Sequence, residues 1–328
     1  MNNEQLRVSI GLPVRNGERF IEQALESLLA QTFQNFELII SDNGSTDKTE
    51  KICRAYAAKD RRIRYYHNEQ NLGLARNYNR VFELSSGEYF KWAAHDDLHS
   101  PDFLLKCVEI LDRDPNVILC HSQVRFIDEQ GKFLQNYDIQ LNTNSPKSQE
   151  RFHALLGKHL CCQFYGVIRA SALRMTSLMG NYAHADGVLL LRLALLGRFY
   201  EIPEYLFFLR KHSQQSMSLF FPMYLSFASQ QSHRQRNILP DYYQYTVWLN
   251  PEKKGQIVFP HWRIFWEYGL SIWLSPLSWY ERLDCYLSMF KQLRGTEHLL
   301  LKDLLIATKM TWKQVARTKS LQENQKKA

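Results

Sequence analysis

Apolar residues in the first 122 positions gather into short runs: VSIGL (8–12), FELIIS (36–41), IRYYH (63–67), EYFKWAA (88–94) and VILCHS (117–122). Between them the spacing changes to the helical period, predicting helices over 17–31, 46–59, 73–84 and 101–113. Strands alternating with helices of this length predict a parallel, doubly wound α/β sheet. Right-handed crossovers then carry the carboxyl ends of the strands, and the loops after them, to one edge. Those loops read PVRNG (13–17), SDNGSTD (41–47), NEQNLG (68–73) and HDD (95–97), all small, polar and turn-forming.

Further along, the polar stretch 135–150 breaks the alternation and is expected to be a mobile loop or an acceptor-side flap. An apolar segment (160–168), a helix (186–196) and a β-like run (201–212) follow. Past about residue 220 helices dominate, and no internal repeat is apparent. The expected division is a catalytic α/β domain over 1–220 and a basic, aromatic-rich helical region over 221–328.

The chain has 328 residues, 45% of them hydrophobic, enough for a substantial core. Its first residues lack the basic and apolar regions of a secretory signal. The most apolar stretches are interrupted by Arg192 and by Pro276, so neither is a good spanning helix. Six cysteines, at 53, 107, 120, 161, 162 and 285, show no metal-ligand spacing and read as small core residues in a reducing compartment. A cytoplasmic protein is expected. The net charge of +8 is concentrated in residues 221–328, which hold 15 Lys and Arg against 8 Asp and Glu. No RNA- or DNA-binding pattern accompanies that charge, so nucleic acid is not an expected partner.

Asp96 and Asp97 are the sharpest chemical signal. Adjacent like charges repel, and neither can be buried without a partner. Loops after strands often carry acidic residues that only solvate or cap a helix. Here Ser100-Pro101 is the better helix start, with Phe103, Leu104, Val108 and Leu111 continuing the apolar spacing. The pair is left over in the crevice where open α/β sheets bind ligands, and either a metal or ligand site or a solvated loop fits it.

Taken in order, VSIGLPVRNGERFIEQALESLLAQTFQNFELIISDNGSTDKT, NLGLARNYN, GEYFKWAAHDD and SPDFL resemble the family 2 glycosyltransferases of the GT-A fold, over roughly residues 7–215. Those are inverting enzymes that use nucleotide-diphosphate sugars. The resemblance implies a GT-A type, mostly parallel sheet with a C-terminal helical extension. It also identifies Asp96 and Asp97 with a DxD-type motif, Asp97 on a divalent Mg²⁺ or Mn²⁺ and Asp96 on the ribose or metal shell. A diphosphate leaving group calls for such a hard cation.

The same resemblance puts Pro13, Val14, Arg15 and Asn16 against base and ribose. Asp42 falls on the base, with Asn43 where a second aspartate is usual and Arg15 where an aromatic residue is common. A UDP-sugar is the first expectation. Gly73 and Arg76 match a third donor-side segment, although a lone arginine can simply be solvated. The family's catalytic base is an aspartate at the start of a later helix, which implies Asp186 here, with Ala185 replacing the usual second acid; an ordinary N-terminal helix carboxylate is the alternative. LRKHSQQS (209–216) resembles the segment that closes over the diphosphate, implying Arg210 and His212 as phosphate or metal ligands.

The implied activity is transfer of a sugar to a hydroxyl on a glycan or lipid-linked acceptor, in surface polysaccharide or glycan assembly. A catalytically idle nucleotide-sugar binder is the rival. Trp262, Trp266, Trp273, Trp279 and Trp312 among the C-terminal basic residues add an expectation of peripheral contact with an anionic membrane surface, against plain packing on the core.

Overall fold

The computed structural model describes residues 5–157, 159–215 and 242–327. The expected domain boundary near residue 220 lies outside the described residues. Strands β1 (Val8–Val14), β2 (Phe36–Asp42), β3 (Ile63–His67) and β4 (Tyr89–Trp92) pair in parallel, in the order β3-β2-β1-β4. Both β1 and β2 are buried at every position, which is why they read as apolar runs instead of alternating ones. Helices α1 (Ile21–Leu29), α2 (Thr49–Lys59), α3 (Leu74–Glu83) and α4 (Phe103–Arg113) make the crossovers. Helix α1 buries Ile21, Ala24, Leu25 and Leu28, one apolar stripe at 3.6-residue spacing.

Past β4 the sheet becomes mixed. Strands β5 (Leu98–His99), β6 (Val117–Ile127), β7 (Phe133–Tyr137), β8 (Val167–Arg169) and β9 (Arg198–Arg210) extend it as β4-β8-β6-β9-β5, with β7 on β6. β8 runs antiparallel to both neighbours, whereas β6 and β9 are parallel. Two expectations are corrected here. The stretch 135–150 is not one free loop: it begins in β7 and ends in α5 (Ser148–Leu156). Ser100-Pro101 does not cap α4, because Leu98 and His99 pair with β9 and Ser100 N donates to Leu206 O at 2.9 Å, which moves the helix start to Phe103.

Helices α6 (Ala170–Arg174) and α7 (Ala185–Leu196) follow β8, and α7 is buried almost all round. Four C-terminal helices, α8 (Tyr242–Leu249), α9 (Pro260–Leu274), α10 (Trp279–Leu293) and α11 (Glu297–Lys327), complete the described chain. Of these, α9 and α10 dock on α5 and α7 through a core of Phe152, Leu156, Leu191, Leu195, Ile272, Cys285 and Met289, and α8 and α11 pack on α9. Arg192, the charge that interrupts the apolar run, pairs with Glu267 of α9 and donates to Ser271 Oγ at 3.0 Å. Among the described residues no helix is long and apolar enough to cross a membrane.

Candidate active site

The carboxyl ends of β1, β2 and β4 open into a cleft of about 1710 Å³, closed on its far side by α8, α9 and the start of α11. That volume exceeds the usual span for a single drug-sized ligand and leaves room for more than one. On one wall lie Pro13, Val14, Arg15 and Asn16, with Asn43 and Gly73 beside them. Asn16 holds a left-handed backbone (φ 54°), fixed by Ser45 and Thr46. Its N–H donates to Ser45 Oγ at 2.9 Å, and its Oδ1 accepts from Thr46 N at 2.9 Å. Gly17 must lack a side chain, since a Cβ there would come within 2.7 Å of the His95 ring.

Asn43 is committed to the neighbouring loop. Its Oδ1 accepts from Leu72 N at 2.8 Å and its Nδ2 donates to Asn71 Oδ1 at 2.7 Å. Asp42 does not line the cleft. Its two oxygens accept from Ser45 N and from the Tyr65 hydroxyl, each at 2.9 Å, so this carboxylate builds the turn after β2. Asp47, just before α2, steadies the same turn, its Oδ1 accepting from Thr49 N at 2.9 Å. Arg76 points outward, exposed on α3 and away from the cleft lining.

Asp96 and Asp97 form the floor, both buried. Asp97 Oδ1 accepts from Arg210 N at 2.9 Å, and Asp97 Oδ2 takes no hydrogen bond among the described residues. Burial and the adjacent Asp96 charge push the Asp97 carboxyl well above its ordinary range. Burial acts on Asp96 too, but His95 and His212 outweigh it and hold that carboxyl low. A buried carboxylate pair with this imbalance and one uncommitted oxygen suits a hard divalent cation.

Arg210 is positioned differently from its expected phosphate role. Wholly buried and absent from the cleft lining, it donates from Nε to Asp96 O (2.7 Å), from Nη1 to Glu129 O (2.7 Å) and from Nη2 to Gln23 Oε1 (2.7 Å), its guanidinium 4.7 Å from the Phe20 ring centroid. It holds the acidic loop from behind. His212 reaches Asp96 Oδ2 at 2.8 Å through Nε2 and packs on the Phe20 ring, centroids 4.9 Å apart.

Asp186 opens α7 on the opposite wall, its side chain 42% exposed and its Oδ1 accepting from Gly187 N at 2.8 Å. His184 precedes it in a left-handed backbone (φ 64°), with its ring over Gly187, where a Cβ would come within 2.2 Å. Cys161, His184 and Asp186 present donor atoms all within 4.8 Å of one another.

Three features escaped the sequence reading. Lys91 is buried under the floor and donates to the carbonyls of Tyr165 and Trp92; a lysine inside EYFKWAA was the available signal. The half-buried tyrosines Tyr78 and Tyr165 also line the cleft, and desolvation raises both phenols above their ordinary range. The C-terminal helices contribute Tyr245, Trp248 and Tyr268 to the lining, which no local pattern announces.

An uncharacterized glycosyltransferase of Rickettsia felis is 37% identical over 132 residues, covering 39% of this chain and 21% of that protein. One from Haemophilus influenzae is 33% identical over 140 residues, 43% of this chain and 54% of its own length. The chain thus spans about a fifth of the Rickettsia relative and half of the Haemophilus one. The crystal structure of S. aureus TarS 1–349 with UDP-GlcNAc superposes with a TM-score of 0.54 at 15% identity, over 89% of this chain and 92% of that one, a likeness of fold. The model described as "Glycosyl transferase family 2" matches residues 9–175, half of the chain and all of the donor loops through the acidic floor, and the chain therefore belongs to that family.

Proposed function

We propose that the protein is an inverting, metal-dependent glycosyltransferase that moves a sugar from a nucleoside-diphosphate donor, first of all a UDP-sugar, to a hydroxyl acceptor in surface polysaccharide or glycan assembly. The observation that carries this reading is the pairing, across one cleft, of the buried Asp96–Asp97 floor with the half-exposed carboxylate of Asp186. Residues 13–16, Asn43 and Gly73 shape the base and ribose end. Asp96 and Asp97 would hold Mg²⁺ or Mn²⁺, which when bound neutralises charge developing on the diphosphate. Arg210 and His212 orient the two carboxylates. Asp186 takes the proton of the acceptor hydroxyl while its oxygen bonds to the anomeric carbon on the face opposite the departing diphosphate.

We place the work in the cytoplasm, in keeping with six unpaired cysteines, at an anionic membrane surface. Supporting that partner, Trp266, Trp273, Trp279 and Trp312 are all exposed, and α10 presents Tyr280, Leu283, Leu287 and Phe290 to solvent at helical spacing, with Lys291 and Arg294 at the end of the stripe. Co-sedimentation with vesicles should rise with anionic lipid, fall with salt, and weaken when Trp279 and Tyr280 are both changed to Ser. Unchanged binding in that variant removes the face from consideration.

The deciding experiment is a screen of nucleotide sugars for divalent-dependent release of nucleoside diphosphate, repeated with Asp97→Asn. Loss of metal stimulation and of at least about 10²-fold in turnover is expected. Tight donor binding without release under any acceptor would favour an idle binder, and wild-type turnover in Asp97→Asn would refute the metal assignment.

A further inference from the structure

The wall that carries Asp186 also carries donors of another chemical character. Cys161 Sγ, a His184 ring nitrogen and an Asp186 carboxylate oxygen lie within 4.8 Å of one another, and His184 Nδ1 is 3.9 Å from Asp186 Oδ1. Around a tetrahedral zinc, with bonds of 2.0–2.3 Å, donor atoms sit roughly 3.3–3.8 Å apart. The cluster therefore needs a contraction of about 1 Å, within reach of rotamer adjustments in side chains that border an open cleft. His159 lines the same cleft and its Nε2 is buried with no hydrogen-bond partner among the described residues. The local backbone is built to hold this arrangement. Gly187 leaves room for the His184 ring, and His184 keeps a left-handed conformation that few histidines adopt.

We propose that Cys161, His184 and Asp186 form a second metal site, taking a borderline-soft divalent ion such as Zn²⁺, separate from the all-oxygen floor of Asp96 and Asp97. A thiolate–imidazole–carboxylate set prefers Zn²⁺ to Mg²⁺ or Mn²⁺, whereas the floor has the opposite preference. Three protein ligands leave the fourth position open toward the cleft. Binding releases the Cys161 thiol proton to solvent. The consequence for transfer rests on the reading of Asp186 as the base: with its carboxylate on zinc it can no longer accept the acceptor's proton, so occupancy switches transfer off.

The test uses the full chain, with Co²⁺ as a spectroscopic stand-in for Zn²⁺ in the presence of excess Mg²⁺. One equivalent of Co²⁺ should give a thiolate-to-cobalt charge-transfer band that Zn²⁺ abolishes by displacement. Cys161→Ser should remove the band, and His184→Gln should weaken Co²⁺ binding at least tenfold. Cys162→Ser, the other cleft cysteine, should leave both intact. Circular dichroism of each variant confirms folding, and Cys161→Ala provides a second deletion of the thiol. Absence of the band from the wild type, or its persistence in both Cys161 variants, overturns the site. In the transfer assay Zn²⁺ should inhibit the wild type at concentrations at least tenfold below those that inhibit Cys161→Ser. A band that forms while transfer proceeds unimpaired upholds the site and takes the base role away from Asp186.

Discussion

Replacing Lys91 by Met should flatten the alkaline side of the stability profile. Lys91 lies wholly inside β4, its ammonium donating to the Tyr165 carbonyl and, at 3.2 Å, to Trp92 O, and sitting 4.6 Å from the Phe103 ring centroid. Burial lowers its pKa to about 7, with Cys107 and Asp97 pulling the other way. In the unfolded chain the amine stays protonated to its ordinary value near 10.5. Between about pH 7 and 10.5 the unfolded chain therefore binds one more proton than the native one, and unfolding becomes harder as pH rises. Each unit contributes about 1.4 kcal/mol, so the full window is worth on the order of 5 kcal/mol. Below pH 7 both states are protonated and the slope from this group vanishes.

Methionine does not titrate. At pH 7 the substitution removes a buried cation but strands two carbonyls, each at a cost of roughly 1–3 kcal/mol, so the absolute difference at one pH decides nothing. The slope does. Urea unfolding of both proteins in metal-free buffer at pH 7, 8, 9 and 10 gives the difference directly if the m-values agree. Tyr65 and Cys53, whose raised pKa values tilt the alkaline limb the other way, are common to both chains and cancel. The wild type should gain on Lys91→Met by about 1 kcal/mol per unit or more. Parallel curves would refute the reasoning and mean that Lys91 stays charged in the fold, balanced by Asp97.

Asp186→Asn should leave donor binding nearly intact in calorimetry and slow transfer by roughly 10²- to 10⁴-fold; loss of donor binding as well would make Asp186 structural. Arg210→Met strands Asp96 O, Glu129 O and Gln23 Oε1, and should lower stability by roughly 3–5 kcal/mol in urea unfolding and weaken Mn²⁺ binding with it. Full stability would show that the acidic loop holds itself. Asn43→Asp removes the donor to Asn71 Oδ1, so competition binding should show all nucleoside diphosphates weakened alike, whereas a selective gain for uridine would mean that residue 43 reads the base.

The four parallel strands were legible because β1, β2 and β4 are fully buried runs between turn signals, and β3, an edge strand that buries only Ile63, still carries the β-favouring run IRYYH. β5, β7 and β8 were not, since strands of two to five residues exist by pairing with β9, β6 and β4 and carry no period of their own. Site residues show the same division. The order of the loops put residues 13–16, Asn43, Gly73, Asp96 and Asp97 at one edge, as expected. Side-chain direction was beyond reach for Arg76 and Arg210. On β9 the alternation of faces sends Leu209 into the cleft and Arg210 behind it, so one residue of register separates a phosphate ligand from a buried brace. Asp42 misled for a related reason: an acidic residue in a turn can serve a ligand or the turn itself, and here Ser45 and Tyr65 claim both oxygens.

The C-terminal helices join the two halves of the functional reading. The inner face of α10 places Cys285 and Met289 in the core that also holds Leu191 and Leu195 of α7, the helix that begins at the Asp186 wall. Its outer face presents Tyr280, Leu283, Leu287 and Phe290. One helical layer thus separates the proposed lipid-facing surface from the wall of the proposed base. On the proposed orientation, a lipid-linked acceptor would present its hydroxyl to the Asp186 carboxylate from the membrane surface. A change confined to the outer face then has a distinctive kinetic signature. With vesicle-borne acceptor, Trp279→Ser with Tyr280→Ser raises KM and spares kcat, because surface concentration is lost and chemistry is not. With a short water-soluble acceptor the same variant matches the wild type in both constants. A fall in kcat with the soluble acceptor would show that the outer residues support the fold of the cleft wall and do not serve as a membrane contact.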